Sequence, residues 1–138
     1  MASFLQVSER SHAGVQCLVR LAQAYPQEGH LSLQELADEF DLSQSSLEEI
    51  ALLLKQAGIV QGKKGPKGGY RLARDPEQIT TEQILIALEG PLELVSCQQP
   101  GHACPVQDRC QSRGFWGLLR NTLQTTLSQT TLAQLLTL

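Results

Sequence analysis

Aromatic residues make up only 4% of this 138-residue chain. No apolar run approaches the roughly 18 residues that a membrane span requires. The opening MASFLQVSERS lacks the apolar stretch and cleavage site of a secretory signal, so the expectation is a cytoplasmic protein with no membrane partner. A composition of 41% hydrophobic and 18% charged residues excludes the disordered and collagen-like classes. Two further absences are local. No acid interrupts Gly62 to Arg74, and no charge of either sign occurs from Asn121 to Leu138.

The length suits one domain, or one small domain with an appended dimerisation element. Over 8–25, Val15, Val19 and Ala22 recur at helical spacing with Leu18 and Leu21 beside them, and Pro26 ends the pattern. Ser32 and Glu35 form a capping box ahead of a second helix that buries Leu33, Leu36, Ala37 and Phe40. After a break at Asp41 and Leu42, Ser43 is a good N-cap for a third helix with Leu47, Ile50, Ala51 and Leu54 on one face. Gly58 suits its left-handed C-terminal cap. Ile59 to Gln61 and GYRLA read as two short strands around the turn KKGPKG, with Tyr70 and Leu72 inward. Residues 79–90 predict a fourth short helix with Ile84, Ile86 and Leu88 buried in part. A long final helix places apolar residues at 115, 116, 119, 123 and 127. The fold class is therefore mainly α with a small β-hairpin wing, a winged helix-turn-helix plus a long C-terminal dimerisation helix.

This order gives the basic run a role. Lys63, Lys64, Lys67, Arg71 and Arg74 are five of the 11 basic residues in a chain of net charge -3. A charge run alone is most often a solvated loop. Placed on a wing directly after a helix-turn-helix, it suits phosphate. At the start of the third helix, Gln44, Ser45, Ser46 and Glu48 have the chemistry to read base edges of double-stranded DNA, with Ser43 beside them. The uncharged tail carries Leu123, Leu127, Leu132, Leu135, Leu136 and Leu138, too many to hide in a small monomer, which predicts a homodimer. The alternative is a tail folded back on its own domain.

Three of the four cysteines crowd one stretch, SCQQPGHACPVQDRC, with gaps of six and then five residues between Cys97, Cys104 and Cys110. The close C-x2-C or C-x4-C pairs of structural zinc are missing. In a reducing compartment such thiols point to metal or redox chemistry rather than disulfides. The wider spacing suits an iron-sulfur cluster, with two or four irons left open. A fourth ligand is then needed, and His12, Glu9, His102 and water are the candidates. Cys17 lies in an apolar helix and reads as an inert core thiol.

The capped second helix, SQSSLEEI, AGIV, the GPKGGYRLAR wing and the three spaced cysteines resemble the Rrf-two family of bacterial winged-helix regulators, the group containing IscR, NsrR and RirA. The resemblance covers nearly the whole chain. It implies a homodimeric transcription factor, not an enzyme, whose iron-sulfur cluster alters operator affinity in response to iron or cluster status, redox state or nitric oxide. It further implies Cys97, Cys104 and Cys110 as ligands, Ser43, Gln44, Ser45 and Glu48 as DNA readers, and Lys64 to Gly69 as the wing. Departures exist. Arg113 stands where IscR-like members carry a His, Ser46 where relatives often carry Tyr, and Lys64 where many carry Arg. Aligning the shared RLA of helix one puts His12 where NsrR-like members place an acidic ligand from the other subunit. His12 also continues the Val15 and Val19 stripe, so a core histidine is the competing reading. The expected division is DNA binding by 1–78, with the cluster loop (91–111) and dimerisation helices in 79–138. The rival functions are a cluster-free or zinc-bound regulator and an iron-sulfur electron carrier.

Overall fold

The computed structural model of the chain describes residues 6–26, 29–66, 68–99, 101 and 104–138. Helix α1 (Glu9–Ala24) begins at Ser8, whose hydroxyl accepts from the Ser11 amide, and stops before Pro26. Helix α2 (Leu33–Phe40) opens on the expected capping box: Ser32 Oγ accepts from Glu35 N at 3.0 Å, and Glu35 Oε2 accepts from Ser32 N at 2.7 Å. Asp41, left-handed at φ 53°, then turns the chain. Helix α3 (Gln44–Gln56) buries Leu47, Ile50, Ala51 and Leu54, the face that their spacing defines.

The wing is an antiparallel pair of β1 (Val60–Lys63) and β2 (Gly69–Leu72), with Val60 opposite Leu72 and Gly62 opposite Tyr70. Its first strand starts one residue later than expected. Ile59 is wholly buried, and its amide donates to Leu54 O at 3.0 Å, so it closes α3 instead. Leu31 adds a third edge through Leu31 N to Tyr70 O (2.9 Å) and Tyr70 N to Leu31 O (2.8 Å). Gly69 permits this approach: at φ 139°, a Cβ there would lie 2.3 Å from Leu31 O.

Helix α4 (Thr81–Glu89) packs on α1 and α3, and a Cβ on Gly14 would come within 2.6 Å of Leu88 Cδ1. Ile84 and Leu88, one turn apart, are buried. Ile86 is 46% exposed, contrary to expectation, because its position between them turns it to the opposite side. Helix α5 (Arg113–Gln129) follows the cysteine loop and packs on α4, and a short α6 (Leu132–Leu135) closes the fold. Part of the tail folds back on its own domain. Thr81 N donates to Thr130 O and Leu132 N to Ile79 O, both at 2.8 Å, and the Leu132 side chain is wholly buried. The apolar positions of α5 divide: Trp116, Leu119, Leu123 and Leu127 are half-buried, while Phe115 and Leu118 are 56% and 66% exposed.

One polar junction ties the start of α1 to the elements around it. Ser8 and Ser11 hydroxyls both donate to Glu89 Oε1, Ser11 at 2.6 Å, and Arg10 Nη1 pairs with Glu49 Oε1 on α3 at 2.8 Å. The two hydroxyls, Ser11 foremost, together with the Arg10 charge, hold Glu89 below its ordinary 4.5 against a small opposing effect of burial. A depressed carboxyl pKa contributes stability above the ordinary value, lost as pH falls through the depressed one. Glu89→Ala leaves the fully buried Ser11 hydroxyl without its acceptor, a cost of about 1–3 kcal/mol. Chemical denaturation at pH 7 and pH 3 checks both points: the variant's deficit at pH 7 narrows at pH 3.

Candidate DNA interface and cysteine site

The candidate recognition surface is the exposed start of α3. Ser43, the N-cap, accepts from Ser46 N at 3.2 Å, and its Oγ lies 2.7 Å from Ser46 Oγ and 3.4 Å from Ser45 Oγ. The serines thus hold one another in place. Gln44 and Glu48 are exposed and have no hydrogen-bond partner among the described residues, so their amide and carboxylate are available to base edges. On the wing, Lys63 and Lys64 are exposed, and Lys67 lies outside the described residues. Arg74, part of the same basic run, is engaged internally: Nε donates to Gly58 O at 3.4 Å and Nη1 to Gln78 O at 3.2 Å.

Cys97, Cys104 and Cys110, all outside the α-helices and strands, converge on one pocket of about 100 Å³, lined also by Gln107 and Arg113. Two short 3-10 turns, Ser96–Gln98 and Gln107–Arg109, carry the loop. Its glutamines are struts. Gln98 Oε1 accepts from Leu94 N at 2.8 Å while its Nε2 donates to Trp116 O at 3.0 Å. With the Gln107 oxygen facing the guanidinium, it accepts from Arg113 Nη1 at 3.3 Å and Nη2 at 3.1 Å. Arg120 Nε adds a bond to Leu92 O at 2.8 Å. The loop is therefore lashed to α5 by amides that its composition offered without indicating their partners.

The Ser112 hydroxyl, 3.4 Å from Cys110 Sγ, is the foremost of the groups that hold this thiol below its ordinary 9.0. The Ser112 and Arg113 amides and the Arg113 charge add to it, and burial opposes them. Three soft sulfur donors with a cation and two amide-bearing turns form a donor set that fits a thiolate-bound, net anionic metal centre. Among the described residues, the pocket lining adds no His, Asp, Glu or fourth Cys. Among the described residues, no three His, Cys, Asp or Glu side chains are grouped closely enough to hold a metal ion. His12 is exposed on α1, which removes the core-histidine reading, and Glu9 is exposed beside it. Neither lines the cysteine pocket of its own chain. His102 lies outside the described residues.

Cys17 is a core thiol, as expected: 4% exposed, with burial and then the Glu39 charge pushing its pKa up to about 11. At pH 7.5, fewer than about one such thiol in a thousand is ionised. Brief alkylation of metal-free native protein, mapped by mass spectrometry, is predicted to label Cys97, Cys104 and Cys110 and spare Cys17. Labelling of Cys17 at the same rate would contradict the geometry.

A capped recognition helix, a basic hairpin and a supporting α1 define a winged helix-turn-helix transcriptional regulator. The chain belongs to the Rrf2 family, described as iron-dependent transcriptional regulators, whose model matches residues 7–137. CymR of Bacillus subtilis (strain 168) is 30% identical over 134 residues, which cover 95% of this chain and 89% of that protein. The solved structure of CymR, the global cysteine regulator of B. subtilis, matches with a TM-score of 0.77 at 29% identity, covering 96% of this chain and 97% of that one. T. potens IscR matches with a TM-score of 0.75 at 32% identity, covering 96% of this chain and 87% of that one. These relatives are transcriptional regulators rather than enzymes. No helix among the described residues is long and apolar enough to cross a membrane.

Proposed function

We propose that the chain is a homodimeric regulator of double-stranded DNA operators whose affinity is set by an iron-sulfur cluster held by Cys97, Cys104 and Cys110. The convergence of these three cysteines on one pocket at the head of α5 carries the reading. When bound, the cluster supplies a centre that iron supply, oxidants or nitric oxide can alter. The chain's own residues do the rest. Gln44, Ser45 and Glu48 meet base edges, Ser43 and Ser46 hold that turn, and Lys63, Lys64 and Lys67 neutralise phosphates. Residues 1–78 bind DNA while 79–138 sense and dimerise. His12 of a second copy is the first candidate for the missing ligand, ahead of Glu9 and His102.

The dimer reading rests on Phe115 and Leu118, large apolar side chains exposed on a helix that has no fully buried residue, and on the charge-free stretch after Arg120. Replacing both with glutamate is predicted to yield a folded monomer in analytical ultracentrifugation. A dimer that survives the double substitution would remove α5 from the interface.

Two recognition helices must meet half-sites about 34 Å apart or a multiple of that distance, so a change in subunit spacing forfeits contacts. The test is anaerobic purification with iron, sulfide and absorption assays, then binding of holo- and metal-free protein to a duplex selected from a random pool, at one salt concentration. The expected result is iron and sulfide in the holo-protein and unequal affinities. A second reading is a regulator whose cysteines act without a cluster or with zinc. It is favoured by the near-complete overlap with CymR, a cysteine regulator. Colourless protein without iron or sulfide would select it.

A further inference from the structure

The basic run of the wing divides by face. In an antiparallel ladder, directly opposed residues point to the same side. Val60, Gly62, Tyr70 and Leu72 form the inner side, and Gln61 opposite Arg71 and Lys63 opposite Gly69 form the outer one. Because Leu31 is bridged to Tyr70, the preceding residue, His30, comes alongside Arg71 on that outer side. Their proximity is electrostatically felt: after desolvation, the charges of Arg71 and then Lys63 lower the His30 pKa from its ordinary 6.5.

Three cationic or proton-donating side chains thus share one face, and none has a hydrogen-bond or ion-pair partner among the described residues. Other arginines of the chain are engaged: Arg10 with Glu49, Arg20 with Glu39, Arg74 and Arg120 with backbone carbonyls. Unmatched like charges set side by side repel one another unless an anion is brought between them. A pocket of about 230 Å³ opens beside Arg71, lined also by Tyr25, Gly29 and Gln61, so the face is concave where that cation stands.

We infer that His30, Lys63 and Arg71 form a phosphate clamp at the base of the wing that grips the DNA backbone outside the sequence-reading helix. Lys63 makes this face continuous with the Lys64 end of the wing, which favours a backbone phosphate over a free anion. The inference rests on the DNA-binding reading above and adds His30 and Arg71 to it. A phosphate contact positions the duplex and is blind to sequence.

The experiment is fluorescence anisotropy with the selected duplex and an unrelated one, from 50 to 200 mM salt, using wild type, Arg71→Gln, Arg71→Lys and His30→Gln. Losing one phosphate contact lowers the magnitude of the salt slope by about 0.9, so Arg71→Gln should lose about 3.5-fold less affinity than wild type across that range. Its affinity at 50 mM should drop by the same factor on both duplexes, Arg71→Lys should restore the slope, and His30→Gln should weaken both duplexes equally. An Arg71→Gln protein with an unchanged melting temperature and an unchanged slope overturns the clamp. So does a loss confined to the selected duplex, or binding of inorganic phosphate at this face with no change in DNA slope. Wild type that binds neither duplex overturns the DNA-binding reading itself, a different result from a wild type that binds with variants that match it.

Discussion

Anaerobically purified Cys104→Ser protein is expected to retain neither iron nor acid-labile sulfide, against a full complement in wild type. Cys104 is half-buried at the centre of the triad in sequence, and the pocket offers only Cys97 and Cys110 as other sulfur ligands. Serine keeps the shape but not the chemistry, because an alcohol is not deprotonated at neutral pH and its oxygen is a hard donor. The neighbouring groups cannot compensate: Arg113 is a permanent cation, and the Gln107 oxygen is turned toward it. Iron and sulfide analysis reads the loss directly, and circular dichroism at an unchanged melting temperature would separate it from unfolding. A serine variant that holds iron at the wild-type ratio would show that the loop is not the ligand set.

The second large effect is on stability, and it comes from the far end of the chain. Leu132→Ala is expected to cost about 2–5 kcal/mol, the range for truncating a fully enclosed leucine. Leu132 belongs to the same buried cluster as Leu18, Ile79 and Ile84, and α6 packs on α1 and the turn before α4, so loss of the leucine opens a cavity between them. Leu138→Ala, at a residue 93% exposed, serves as the control and should stay within about 0.5 kcal/mol of wild type. Urea unfolding of both variants distinguishes an enclosed leucine from one held only by a partner subunit, for which the deficit would vary strongly with protein concentration.

These two effects differ in how far they can be read without coordinates. The helix-turn-helix was legible because each boundary has a chemical signature: Ser32 with Glu35, Ser43 before an apolar stripe, Gly58 behind it. The wing was legible because glycines bracket two short alternating runs. Leu132 was not. An uncharged leucine-rich tail looks the same whether it covers a partner or its own core, and only the Thr131 and Gln134 capping box hints that a separate turn begins there. The cysteines announced a site, but their gaps could not say that all three line one pocket, nor that Gln98, Gln107 and Arg113 hold the loop. Those partners lie on an irregular segment, where no period relates sequence distance to space. Ile86 failed for the opposite reason: an all-apolar run leaves helical phase ambiguous.

Helix α5 is fastened at both ends to different parts of the fold. Its C-terminal end is fixed to Ile79 and Thr81 at the start of α4 through Leu132 and Thr130, and its first turn carries Arg113 and Trp116, which hold the cysteine loop. Its 17 residues form a rod about 25 Å long. Such a rod works as a lever: a tilt of about 10° at the anchored end swings the other by about 4 Å, about three-quarters of the pitch of one helical turn. Under the proposed function, chemistry confined to three sulfur atoms would thereby reach a second subunit as a displacement of the far end of the rod.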